Sequence, residues 1–101
     1  MFVYNITIKI DPAIEKEWLQ WQRDEHIPDI MTTGLFTEYK MFRLLEQDES
    51  DGITYVVQYF ATTAAHYEQY MFEHAPLLRE KALQRWGDRF IAFRSTMQLV
   101  K

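Results

Sequence analysis

Glu73-His74-Ala75-Pro76 repeats, half a chain later, the order of residues in Glu25-His26-Ile27-Pro28. The two histidines and the two prolines are each 48 positions apart (74 − 26 and 76 − 28). Proline lacks a donor and disfavours helix at the residue before it, so each element marks a place where a helix breaks or kinks. What surrounds each copy is also alike: a strand precedes its helix and another strand follows it.

Upstream of the first copy, Phe2 to Ile10 alternates strictly. Phe2, Tyr4, Ile6, Ile8 and Ile10 share one face, and Val3, Asn5, Thr7 and Lys9 share the other. Period two with β-branched residues predicts a strand. Asp11-Pro12 stops it, as an N-cap followed by a first helical residue. Ile14, Trp18, Trp21 and Glu25 then fall near one helical face, with Leu19 and Gln22 beside it. A short helical piece from Asp29 to Thr32 ends at Gly34, a left-handed cap.

Leu35 to Glu46 reads as a second strand and Ile53 to Phe60 as a third, joined by an acidic turn at Asp51-Gly52. Thr62 or Thr63 caps the second long helix, in which Tyr67, Tyr70, Met71 and His74 recur at helical spacing. Pro76 interrupts it. Leu78, Ala82 and Trp86 continue an apolar stripe to Gly87, and Phe90 to Val100 is the last strand. The order strand-helix-strand-strand-helix-strand is the split βαβ pattern of an α+β, ferredoxin-like fold.

Four strands with both helices on one side leave the other sheet face bare. The second and third strands are apolar on both faces, unlike strands that meet water on one side. A patch of that size marks an interface. A homodimer is therefore expected in which two bare faces meet, a dimeric α+β barrel. Whether the wholly apolar face of the first strand meets the helices or the partner stays open.

The 101 residues make one domain, 1–101, large enough to bury a core. Hydrophobic residues make up 48% and aromatic residues 16%, which supplies that core. With 15 acidic and 11 basic residues the net charge is −4, which argues against non-specific binding to nucleic acid or to an anionic membrane. The absence of cysteine excludes disulfides, thiolate metal sites and a cysteine nucleophile. No stretch is long and apolar enough to span a bilayer. The N-terminus begins as a strand with no charged leader, so no signal peptide is expected and the location is expected to be cytoplasmic.

Tyr4-Asn5-Ile6-Thr7, Trp18-Leu19-Gln20-Trp21, Glu25-His26-Ile27-Pro28, Tyr55-Val56-Val57-Gln58-Tyr59-Phe60, His74-Ala75-Pro76 and the run Gly87-Asp88-Arg89-Phe90-Ile91-Ala92-Phe93-Arg94 together resemble DUF4286, a small bacterial family of unknown function. The resemblance covers nearly the whole chain. It implies the dimeric α+β-barrel superfamily at the level of fold, which includes antibiotic-biosynthesis monooxygenases, haem-degrading monooxygenases and muconolactone isomerases. It carries no reaction, because fold does not imply function. Haem-degrading members use an asparagine on the first strand with a tryptophan and a histidine from the region of the second helix. Asn5 suits the first place, but Tyr67 to His74 holds no tryptophan.

Four residues stand out as a polar lining for a pocket between helices and sheet: His26, His74, Asn5 and Arg94. A histidine at a helix break either bonds the freed backbone or serves as a general base or haem ligand. Glu25 and Glu73 do not pair directly with their neighbouring histidines if the helix runs through them, since adjacent helical residues point apart. Arg94, in mid-strand, either bridges to Glu38 or Glu46 across the dimer or anchors an anionic group. Arg43 poses the same question. Trp18, Trp21, Tyr55, Tyr59, Tyr67, Tyr70, Phe72, Trp86 and Phe93 either fill the core or line a pocket for a flat ligand. His26 and His74 lie on different helices and form no ligand-spaced set, so no metal and no cofactor is expected. All three glycines fall in turns and caps, and no phosphate loop or serine elbow is present. Two functions follow: a small-molecule-binding protein or cofactor-poor enzyme, or a non-enzymatic dimeric module.

Overall fold

A computed structural model describes every residue from Met1 to Lys101. Four strands, β1 (Phe2–Ile10), β2 (Glu38–Arg43), β3 (Ile53–Ala61) and β4 (Phe90–Gln98), make one antiparallel sheet in the order β2-β3-β1-β4. Two helical arms connect them on one side. The first arm is a 3-10 turn at Pro12–Ile14, helix α1 (Glu15–Trp21), a π-helical turn at Gln22–His26 and helix α2 (Ile27–Met31). The second is α3 (Ala64–Glu73) followed by α4 (Ala75–Trp86). This is the ferredoxin-like α+β arrangement read from the order of elements.

Local chemistry sets most boundaries. The Asp11 side chain accepts from the Ala13 amide at 2.9 Å and starts the first arm. Thr63 rather than Thr62 caps α3, accepting from the His66 amide. Gly34 and Gly87 take positive φ, 77° and 59°, where a side chain would strain the backbone. β2 is shorter than the run Leu35 to Glu46 because Phe36 turns into the core among Tyr4, Tyr59 and Tyr70 before pairing begins.

The register settles the faces. Ile6 lies between Val57 on β3 and Arg94 on β4. Tyr4, Ile6, Ile8 and Ile10 therefore share the helix-facing side with Tyr55, Val57, Tyr59, Ala92 and Arg94. The wholly apolar face of β1 meets the helices. Trp18, Ile30 and Tyr59 sit fully buried at the centre of this layer. Each large apolar side chain so buried contributes about 1.5–3 kcal/mol.

The opposite face carries Val3, Asn5 and Thr7, flanked by Val56, Gln58 and Phe60 on β3. Towards the edges it exposes Phe42, Ile91, Phe93 and Met97, with Phe93 68% and Ile91 58% accessible. Nothing in the chain covers it.

The two Glu-His-x-Pro elements end differently. In the second, His74 leaves helical geometry (φ −123°) and separates α3 from α4. In the first, the chain stays helical through Pro28, which sits in the first turn of α2 where its missing donor costs nothing. The irregularity falls one turn earlier, as the π turn. Glu25, expected on the inner face with Ile14, Trp18 and Trp21, is exposed for that reason. The wider turn passes the inward position on to His26.

Candidate functional site

A cavity of about 40 Å³, open at one side, lies between the sheet and both helical arms. Its floor is Ile6, Ile8, Val57 and Ala92 from the sheet. Trp18, Trp21 and Gln22 approach from the first arm, and Arg79, Ala82 and Trp86 from α4. Ala82 and Ala92 put two small side chains in its lining.

The π turn builds one wall. Trp21 and His26 are five positions apart, which in an α-helix would put them about 140° from each other around the axis. With i→i+5 bonding, of which Ile27 N–H to Gln22 C=O is one, they come nearly into register. Their rings stack at 4.5 Å and 18°. His26 thereby reaches the cavity lining. Burial is the main cause that lowers its pKa to about 4; Arg94 and Lys81 push the same way and Asp29 opposes them. Near neutral pH the ring is an uncharged imidazole.

The other wall is cationic. Arg79 Nη2 and Arg94 Nε each donate to the Tyr4 hydroxyl at 3.1 Å. Arg79 also reaches Met71 Sδ at 3.6 Å. The ion pairs of the chain engage Lys9, Lys40, Arg43, His74, Lys81 and Arg89, and neither of these two guanidiniums. Burial also raises the Tyr59 phenol far above its ordinary pKa, so it stays protonated.

Four buried side-chain atoms have no hydrogen-bond partner: Gln22 Oε1, Tyr59 OH, Arg79 Nε and Trp86 Nε1. All four residues line this one cavity. Leaving a buried polar group unpaired costs about 1–3 kcal/mol, so such groups are few in folded chains and rarely converge.

Of the four residues singled out from sequence, His26 and Arg94 meet in the cavity. Asn5 does not. It points from the opposite face of β1, 3.4 Å from the hydroxyls of Thr7 and Ser95, because alternation sends it away from Tyr4 and Ile6. His74 lies outside the lining too, stacked on Tyr70 at 6.2 Å. Its Nε2 is 3.8 Å from Glu73, a contact made possible by the break in the helix but too long for a hydrogen bond. Within the chain Arg94 makes no bridge to Glu38 or Glu46, and it stands on the helix-facing side of the sheet, away from the uncovered face. Arg43 is ion-paired with Glu49 at 2.7 Å. Among the aromatics, Trp18, Trp21, Tyr59 and Trp86 line the cavity, whereas Phe72 and Phe93 are exposed. No group of three or more histidine or carboxylate side chains is placed to hold a metal.

Arg79, Gln22 and Tyr59 were not among those four residues. Arg79 had a signal: with Ala75, Ala82 and Trp86 it falls on the apolar stripe of α4, an unusual place for a guanidinium. Gln22 sits beside Trp18 and Trp21 in the same way.

The cofactor-independent oxygenase SnoaB from Streptomyces nogalater, seen as a mutant, superposes with a TM-score of 0.69 at 12% identity, covering 99% of this chain and 94% of that one. A mutant of MhuD with two manganese protoporphyrin IX bound per active site gives 0.70 at 14% identity, covering 100% and 96%. A dimeric ferredoxin-like protein from an uncultured marine organism gives 0.62 at 14%, covering 99% and 95%. At these identities the likeness is one of fold. No curated protein matches the sequence. The family described as Domain of unknown function (DUF4286) matches residues 1–100.

Proposed function

The chain belongs to the DUF4286 family, and we propose that it is a homodimeric small-molecule-binding protein whose ligand occupies the cavity between helices and sheet. One observation carries the reading: the four unpartnered buried polar atoms of the chain all belong to residues of this cavity. A filled interior has no reason to collect them, whereas a ligand supplies partners for all of them at once. The walls suit a flat molecule, and the neutral His26 imidazole offers it both a donor and an acceptor. Among neighbours of the same fold, SnoaB is described as a cofactor-independent oxygenase and MhuD as holding manganese protoporphyrin IX in its active site. An enzymatic role within this reading would fall to His26, the one group of the lining that is neutral near pH 7 and able to take a proton.

The uncovered sheet face supports the dimer. Phe42, Ile91, Phe93 and Met97 leave large apolar side chains together on one uncovered face, and contiguous exposed apolar surface marks an interaction site. A neighbour of the same fold is itself described as dimeric.

Thermal-shift screening with haem, flavin mononucleotide and small aromatic acids tests the cavity, with Ala82→Leu as the control. Leucine at position 82 fills the space between Trp86 and the sheet. The wild type is expected to gain several degrees with at least one compound, and the variant to gain none while keeping its own melting temperature. A ligand that stabilises both equally binds elsewhere and overturns the reading.

A further inference from the structure

The Arg79–Arg94 end of the cavity is rich in donors. Tyr4 OH accepts from Arg79 and from Arg94, each at 3.1 Å, so the two bonded nitrogens stand no further apart than twice that distance. A phenol oxygen that accepts twice has only its own O–H left to give. The Arg79 Nε–H and the Trp86 Nε1–H are buried without partners. Neither guanidinium has a carboxylate in contact, and no aspartate or glutamate lines the cavity. Two neighbouring cations repel one another unless an anion joins them. The group that answers this set is acceptor-only, negative and planar, which describes a carboxylate. Around it the walls are flat and apolar, made by Trp18, Trp21 and Trp86.

We propose that the ligand is an aromatic monocarboxylate, with its carboxylate held between Arg79 and Arg94 and its ring against the tryptophans. This rests on the cavity reading above and names the ligand class for the same site. Arg79 supplies the buried, fixed contact. Arg94, whose side chain reaches solvent at the mouth, draws the anion in.

Titration calorimetry with benzoate, 2-naphthoate and indole-3-acetate, each beside its neutral amide, tests this on the full chain. At least one acid is expected to bind about tenfold or more tighter than its amide, with affinity falling as ionic strength rises. Arg94→Gln is expected to lose about tenfold and Arg94→Lys less, because lysine keeps the charge and loses the fork. Arg79→Gln is expected to lose more; if it fails to fold, the Arg94 pair carries the test, since that side chain is exposed. Amides that bind as well as acids overturn the anion assignment and leave the cavity reading standing. Acids that bind Arg94→Gln as tightly as wild type, without salt dependence, overturn it as well. If none of the six compounds binds, the aromatic-monocarboxylate assignment falls, while the cavity reading stands or falls on the thermal-shift screen with haem and flavin mononucleotide.

Discussion

Burial holds the His26 imidazole at a pKa of about 4, below its ordinary 6.5. The unfolded chain therefore takes up a proton below pH 6.5 that the folded chain refuses until about pH 4. Stability is whole above pH 6.5 and is lost as pH falls through that window. The loss is at most about 3 kcal/mol, less where solvent reaches the ring. Urea denaturation at pH 7 and pH 5 should show the midpoint falling, and His26→Gln should flatten that dependence. Asp11, Asp48 and Asp51 have carboxyl pKa values lowered by hydrogen bonds to Ala13, to Ser50 and to Lys9 respectively, so their acid loss belongs below the ordinary carboxylate range and does not blur the window. Sequence singled out His26 and Arg94 because a histidine at a proline kink and an arginine in mid-strand are both unusual. It placed Asn5 with them only by leaving the facing of β1 open.

At the scale of elements, the π turn decides what the first arm presents. Ile14, Trp18 and Trp21 are buried in register with an α-helix, and Ile27 and Ile30 are buried beyond it. An unbroken α-helix cannot face both sets inward: Trp18 and Ile27 are nine residues apart, about 180° around it. The extra residue in the turn supplies the missing rotation. Deleting Asp24, which is exposed in that turn, takes out the extra residue and leaves Trp18 and Ile27 eight residues apart, about 80° around an α-helix, so both sets stay inward. By chemical denaturation the deletion is expected to cost less than Trp18→Ala, which should lose about 3–5 kcal/mol. Pro28 announced an irregularity without locating it. A proline removes its own donor and restricts its predecessor, but it fits the first turn of a helix without distortion, so the strain relocated upstream. The matching Pro76 allowed a true break, since His74 there lies between two helices that pack on different parts of the sheet.

The whole molecule presents one face of the sheet to its own helices and leaves the other uncovered. If a second copy covers it, light scattering during gel filtration should give twice the chain mass for wild type. Phe93→Glu should give a monomer, because a buried unpaired carboxylate costs more than an exposed phenylalanine gains. A wild-type monomer at high concentration would remove the dimer and leave the cavity untouched, as the two lie on opposite sides of the sheet.

By itself the sequence determined the elements, their order and the two-layer architecture. Alternation in Phe2 to Ile10, the Asp11-Pro12 cap, the apolar stripe through Leu78, Ala82 and Trp86 and the stop at Gly87 are local signals, each set by chemistry within a few residues. It also marked the cationic strand position at Arg94. Only the tertiary structure decided which face of β1 met the helices, that the Glu25-His26 segment winds as a π turn, and that Arg79 on α4 and Arg94 on β4 share one phenol oxygen. Those are contacts between residues as many as 90 positions apart. Periodicity fixes which side chains travel together on a face, and only packing fixes what that face meets. That is why the first Glu-His-x-Pro brings its histidine to the cavity and the second, read from the same four letters, does not.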